Sequence, residues 1–320
     1  VLADRLLQDK GSVQLLDGEA HRHRKQMFMS LMRPEWIASL VARTAEEWDS
    51  SARAWSLKGE VVLHDELHVL LTRAACAWAG VPLAEPEVEQ RTREITALFD
   101  YAGSVGPKHW WARLARKRSN RWIESIIGDI RDARIHPPEQ SAAHVIAWHR
   151  DLEGELLTPH VAAVELLNVI RPIVAVGVYI TFAAHALHRH PECRRKLQAG
   201  DNASYTESFV QEVRRFYPFF PAVAARVRRE FEWNGYRFPK GRRVLLDLYG
   251  TDHDARSWES PETFQPERFR DWDRSPFSFI PQGGGEYHVH HRCPGEWITI
   301  ELMKFASQVL SKDIQYDVPE

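Results

Sequence analysis

Apolar residues recur at three- and four-residue spacing, with charges between them, over Trp36 to Trp55 and Val61 to Trp78. That is the pattern of helices that bury one face. Gly80-Val81-Pro82 interrupts the period, and Glu87 to Tyr101 resumes it. The chain already opens in helical pattern, over Val1 to Leu7. Thr158-Pro159 marks another start: a hydroxyl to cap the first turn, then Pro where no N–H is needed. From there the chain is apolar almost all round to about Leu187. Such a run is long enough to cross a membrane. Glu165, Asn168, Arg171, Pro172 and His185 interrupt it, however, and a central charge is costly in lipid. It predicts a core helix of a large soluble domain, with no membrane span.

The texture changes after Tyr217. Asn234-Gly235 and Pro239-Lys240-Gly241 are turn signals beside short runs such as Val244 to Leu248, which predicts a small antiparallel sheet. Asp252 to Phe279 has no period and reads as a long meandering loop. A last amphipathic helix is expected from about Gly295 to Leu310. The whole reads as one mainly α domain over residues 1–320, with a minor antiparallel β region.

Charge changes this picture little. Forty-two basic and 44 acidic residues leave a net −2, which gives no reason to expect a nucleic acid or an anionic membrane as partner. The basic stretch Lys108 to Arg121 is accordingly read as a solvated helix face. Three cysteines, far apart, argue against a disulfide framework and fit a reducing, cytoplasmic setting. Cys76 reads as a buried structural thiol and Cys193 as an ordinary one. The start inside a helix and the abrupt stop at Pro319-Glu320 predict missing segments at both ends, so a targeting signal stays open.

Chemistry concentrates in Pro281 to Glu296, which contains Gly283-Gly284-Gly285 and His291-Arg292-Cys293-Pro294-Gly295. Consecutive glycines, Gly284 at their centre, let the backbone approach a large flat ligand. Twelve Trp and 14 Phe suit such a ligand, or simply a large core. Cys293 lies just before a helix, where the helix N-terminus and the neighbours Arg292 and His291 favour thiolate. Zinc competes, given His288, His290 and His291, but structural zinc usually takes a second ligand pair elsewhere, and no second Cys pair exists. A nucleophilic Cys paired with His also remains open.

A further motif, Glu212-Val213-Arg214-Arg215, places opposite charges one turn apart, and Pro266-Glu267-Arg268-Phe269 follows before the Cys loop. This ordered set resembles the cytochrome P-450 family. The resemblance implies that fold, heme b (iron protoporphyrin IX) as cofactor, Cys293 as axial ligand of the iron, and a structural triad of Glu212, Arg215 and Arg268. Thiolate ligation pushes electron density to iron and favours O–O cleavage.

Typical monooxygenases of the family carry an acid and a Thr in the middle of the long helix. Here the chain reads Ile170-Arg171-Pro172-Ile173. Pro has neither hydroxyl nor N–H, and Arg stays protonated at any working pH, so the usual proton relay is missing. The planar fork of Arg171 matches a carboxylate bidentately; a structural salt bridge is the plainer reading, and Pro172 then only a kink. Arg-Pro at this point resembles the fatty-acid peroxygenase branch. That resemblance implies a long-chain fatty acid anchored by Arg171, hydrogen peroxide as oxidant, a ferryl species, hydroxylation at the alpha or beta carbon, and no obligatory reductase. It further implies propionate contacts from His21, one turn from Lys25, with His291 another candidate; the alternative for all three is a solvated basic face. Gln14 resembles a distal position that holds Gln in hydroxylating members and His in a terminal-alkene-forming decarboxylase. Decarboxylation, a reductase-dependent monooxygenase and a heme-thiolate sensor remain the competing readings.

Overall fold

The helical periods become helices close to where the sequence places them. The computed structural model describes residues 4–199 and 203–319. In order these contain α1 (Asp4–Leu7), α2 (Gly18–Ser30), α3 (Pro34–Lys58), α4 (Leu63–Ala79), α5 (Val88–Asp100), α6 (Pro107–Arg131), α7 (Ala142–Ala147), α8 (Pro159–Arg189), α9 (Pro191–Gln198) and α10 (Ala203–Phe216). Strands β1 (Ala222–Arg226), β2 (Phe231–Trp233), β3 (Tyr236–Phe238) and β4 (Arg243–Asp247) follow, then α11 (Leu248–Asp252) and α12 (Glu296–Gln308). Val1 to Ala3, where the sequence also predicts helix, lie outside the described residues.

Contacts divide the chain into two compact units. The first comprises Val1–Thr181 and Pro294–Val309. Here α3 packs on α4 and α12, α4 on α5, and α5 on α6. Trp48 of α3 is 1% exposed and meets Trp55 and Phe305 edge-on, at 6.0 and 5.9 Å between ring centres. The predicted break after α4 has a steric cause. Gly80 takes φ +75°, and a Cβ there would lie 2.6 Å from the Ser141 hydroxyl that caps α7. Burial pushes the Cys76 thiol up to about 12, which makes it inert. Burial raises the Cys193 thiol too.

The solvated-face reading of Lys108 to Arg121 needs one correction. Arg113, Lys117, Arg118 and Arg121 are exposed. Arg116 is buried and donates to Asp9 Oδ2 and to the Leu6 carbonyl, both at 3.3 Å, so it ties α6 to the N-terminal segment. Periodicity reports which face is apolar; it does not reveal a distant carboxylate that draws one Arg inward.

Thr158 and Pro159 start α8 as expected, with the Thr158 hydroxyl accepting from Val161 N–H at 3.3 Å. The most apolar stretch of the helix is 83% buried inside the protein, as a core helix should be. Pro172 lies within it and removes one backbone hydrogen bond.

The second unit comprises Phe182–Cys293 and Leu310–Glu320. Its small antiparallel pairs are β1 with β4 (Ala222 opposite Asp247) and β2 with β3 (Phe231 opposite Phe238). Positive φ at Asn234 and Gly235 closes the β2–β3 hairpin. Strand β4 stops at Asp247, short of the Leu248 that apolar patterning suggests. The Asp247 side chain accepts from Gly250 N–H at 2.8 Å and starts α11 instead. Trp258, Phe269 and Phe279 form a buried aromatic cluster, with Trp272 against it.

One buried base gives the first unit a pH dependence. His68 of α4 is 4% exposed, beside His64 and Phe99. Burial, and then the charge of His64, push its pKa from 6.5 down to about 3. The unfolded chain therefore binds a proton that the folded chain refuses between those limits, so this contribution to stability falls as pH drops from 6.5 towards 3. Denaturant unfolding in metal-free buffer should show up to about 1.4 kcal/mol lost per pH unit from this group. His68→Gln should flatten that part of the profile; equal slopes in both proteins would contradict the assignment.

Candidate functional site

The Cys293 segment is shaped by its glycines. Gly283 and Gly285 have φ of +91° and +89°, a region L residues rarely adopt. A Cβ on Gly284 would lie 2.9 Å from both the Pro276 carbonyl and Ile280 Cγ2. Backbone bonds from Gly283 N–H to Ile280 O (3.0 Å) and from Gly285 N–H to Pro276 O (2.8 Å) fix the bend. Cys293 N–H donates to Gln282 O at 3.1 Å, and the Cys293 side chain is half-buried. Arg292 is buried; its guanidinium lies 4.0 Å from the Tyr287 ring centre, and its Nη1 donates to Gly285 O at 3.4 Å. His288, His290 and His291 are exposed. His290 Nδ1 accepts from Glu286 N–H at 2.9 Å, which gives that ring a loop-closing role.

This donor set suits heme iron. One soft sulfur sits in a loop whose glycines present bare backbone, whereas tetrahedral zinc would take further Cys or His at fixed spacing. Cys76 and Cys193 are buried within α4 and α9.

Behind the loop, Glu212, Arg215 and Arg268 lie together. Arg215 grips Glu212 bidentately, with both N–H···O distances 2.8 Å, and Arg268 Nε lies 3.2 Å from Glu212 Oε2. Gln265 N–H adds a fourth donor at 2.7 Å. Arg215 also donates to Asp252 O (3.0 Å), and Asp252 Oδ1 accepts from Ile280 N–H (2.8 Å). The triad thus reaches the base of the Cys loop. Sequence reading missed Arg214, which is 1% exposed and donates to Gln282 Oε1 at 2.9 Å while lying 5.2 Å from the Phe279 ring centre. Nothing in the local sequence marks it, because adjacent charges on a helix can both be exposed, as Lys117 and Arg118 are.

In the first unit, His21 and Lys25 of α2 are 4% and 2% exposed, which removes the solvated-face alternative for them. Arg24, between them, donates to Glu165 Oε1 of α8 at 2.8 Å, and Glu165 is fully buried. Glu165 Oε2 accepts from Asn168 Nδ2 at 2.9 Å, and the same Nδ2 lies 3.3 Å from Gln14 Oε1. Burial raises the Glu165 pKa, opposed by Asn168, Arg24 and the Val13 backbone. Arg171, two turns beyond Glu165, is buried and donates to the Leu7 carbonyl. Gln14 is exposed, Pro172 half-buried. Sequence reading noticed Glu165 and Asn168 only as interruptions of an apolar helix.

The cytochrome P450 family model matches residues 185–312. Cytochrome P450SP alpha (CYP152B1), solved with (R)-ibuprofen, is 55% identical with a TM-score of 0.96, covering all of this chain and 78% of that one. Cytochrome P450EX alpha (CYP152N1), solved with myristic acid, is 47% identical (TM-score 0.91; 96% and 74% covered). Cytochrome P450 OleT F79A, solved with arachidonic acid, is 34% identical (TM-score 0.94; 100% and 76% covered). Among curated relatives, cytochrome P450 71D94 of Mentha gracilis is 33% identical over 141 residues, 38% of this chain and 28% of that protein. Cytochrome P450 71B26 of Arabidopsis thaliana is 23% identical over 316 residues, 85% and 62% respectively. The chain thus spans between about a quarter and three fifths of these two curated relatives. It belongs to the cytochrome P450 family, and the solved structures above fall in the branch that Arg171-Pro172 resembles.

Two stability tests follow from these networks. Arg268→Ala leaves Glu212 with one charged partner fewer and should lower unfolding free energy by about 3–5 kcal/mol in urea titration. Arg24→Met, which strands the Glu165 carboxylate, should cost a similar amount. The double substitution Arg24→Met with Glu165→Met should recover most of it, because paired apolar groups replace a buried ion pair at little cost. Additive losses in the double variant would refute that reading.

Proposed function

We propose that the chain is the heme-thiolate domain, residues 1–320, of a hydrogen-peroxide-driven hydroxylase of long-chain fatty acids, acting at the alpha or beta carbon. The observation that carries this is Arg171-Pro172, a buried Arg followed by a residue without a relaying proton, in the middle of the central helix. Relatives point the same way. Myristic acid, arachidonic acid and ibuprofen, bound by three of them, share only a carboxylate and an apolar body.

Heme b would be held through the Cys293 sulfur and, when bound, would supply the oxidising chemistry. His21, Lys25 and His291 would hold its propionates, and Gly284 would let it lie close to backbone. Arg171 would hold the substrate carboxylate through paired N–H donors, with the Leu7 carbonyl orienting its guanidinium plane. A cation so near keeps the carboxylate ionised at neutral pH. The carboxylate can therefore accept a proton from hydrogen peroxide and return it to the oxygen that leaves as water. Such positioned transfer is typically worth about 10²–10⁴-fold. The sum is fatty acid plus hydrogen peroxide giving hydroxy acid plus water, with no electron donor required. Anchoring by the carboxylate presents the alpha and beta carbons. Gln14, tied to Asn168, lacks the proton that an imidazolium would offer there, which favours hydroxylation over loss of carbon dioxide.

The test is product analysis by mass spectrometry with the heme-loaded chain, a long-chain fatty acid and hydrogen peroxide. The wild type should give a 2- or 3-hydroxy acid, and Arg171→Ala should reduce it by about 10²–10⁴-fold. Terminal alkene alone would make the protein a decarboxylase. Loss of all peroxide-driven product with heme retained would overturn the reading in favour of a reductase-dependent enzyme or a sensor.

A further inference from the structure

A second cluster of ligating side chains lies in the first unit, away from every motif used above. His64 and His68 stand one turn apart on α4, and Asp100 ends α5. One potential ligand atom from each lies within 4.8 Å of the others. His68 is 4% exposed, and its Nε2 is buried with no hydrogen-bond partner. An unpaired polar atom in such a place is costly, and few are tolerated without a reason.

The surroundings prepare the imidazoles for a cation. The Thr181 hydroxyl donates to Gly177 O at 2.8 Å, so towards His64 Nδ1, 3.3 Å away, it acts as acceptor. That contact places the proton on Nδ1 and leaves the His64 Nε2 lone pair available. Hydrogen bonds of this kind set the tautomer of metal-binding histidines. Gly177 also makes room for the second ring, since a Cβ there would lie 3.1 Å from His68 Cδ2. Asp100, at the exposed side of the cluster, supplies the carboxylate.

We propose that His64, His68 and Asp100 bind a divalent transition-metal cation of the zinc class. Two imidazoles and one carboxylate favour zinc, cobalt or nickel over magnesium or calcium, which prefer oxygen alone. With bonds of roughly 2.0–2.2 Å, donors on a tetrahedral ion sit about 3.3 Å apart, so small side-chain rotations would close the cluster. A fourth position would go to water. The ion would clamp the end of α5 to α4, and it takes no part in the oxidation proposed above.

The probe is zinc ion itself. Heme-loaded protein is stripped with chelator, equilibrated with zinc, dialysed and assayed for zinc per heme, with a thermal melt alongside. The wild type should retain one zinc per heme and melt higher with it. His64→Ala and Asp100→Asn should weaken binding at least tenfold, and His68→Gln should abolish it, with an unchanged heme spectrum confirming the fold. His288→Ala, in the cysteine loop, should bind as the wild type does. No zinc in the wild type, zinc undiminished in Asp100→Asn and His64→Ala, or zinc lost on His288→Ala would each overturn the proposal.

Discussion

Glu212 is fully buried, so each of its carboxylate lone pairs must be met by a donor from the protein. Four donors converge on it: two from Arg215, one from Arg268 and the backbone N–H of Gln265. Because those donors come from α10 and from the long segment after β4, satisfying one carboxylate fixes the path of a stretch with little regular structure. Arg215 passes the constraint on through Asp252 to Ile280, and Arg214 through Gln282 to Cys293 N–H. The loop that presents the thiol is thus held from behind by charge, where a sheet or helix would otherwise be needed. Such a cluster is weak evidence for net stability, since apolar replacements often do as well. Its directional bonds specify a geometry that apolar packing would leave loose.

The central helix poses the opposite problem. It is apolar nearly all round, so each polar side chain in it must find a partner within the protein or hold a ligand. Glu165 is met by Arg24, Asn168 and the Val13 backbone, and Asn168 extends the chain of contacts to Gln14. These positions fall at three-residue steps that continue to Arg171, so they share roughly one face of the helix. The segment before α2 and the helix itself are thereby kept in register around the residue proposed to hold substrate.

Much of this was legible in the sequence. Helix positions followed from apolar period, the start of α8 from Thr158-Pro159, and the β2–β3 hairpin from Asn234-Gly235. Glu212, Arg215 and Arg268 were identifiable only through ordered motifs, because an ion pair one turn apart is usually a surface feature. What stayed hidden were pairings between distant residues: Arg24 with Glu165, Arg116 with Asp9, and Arg214 with Gln282. A charge reads as solvated until its partner is known, and the partner lies 141, 107 or 68 residues away in these three cases. The end of β4 was one residue off for a local reason: the Asp247 side chain accepts from Gly250 N–H and so starts a helix at Leu248.

The two Arg-rich regions also differ in what an Arg can be asked to do. Beside Glu212, permanent charge is useful because the partner is fixed and the bond never changes. At Arg171 the same permanence is a restriction. A group that never releases its proton can orient an acid but cannot replace it, and Pro172 adds nothing in its stead. On the proposed reading, acid–base chemistry at this position has to arrive with the substrate. Oxidation is then confined to molecules that carry a carboxylate where Arg171 can hold it, so the residue that removes the protein's own relay is also the one that sets its specificity.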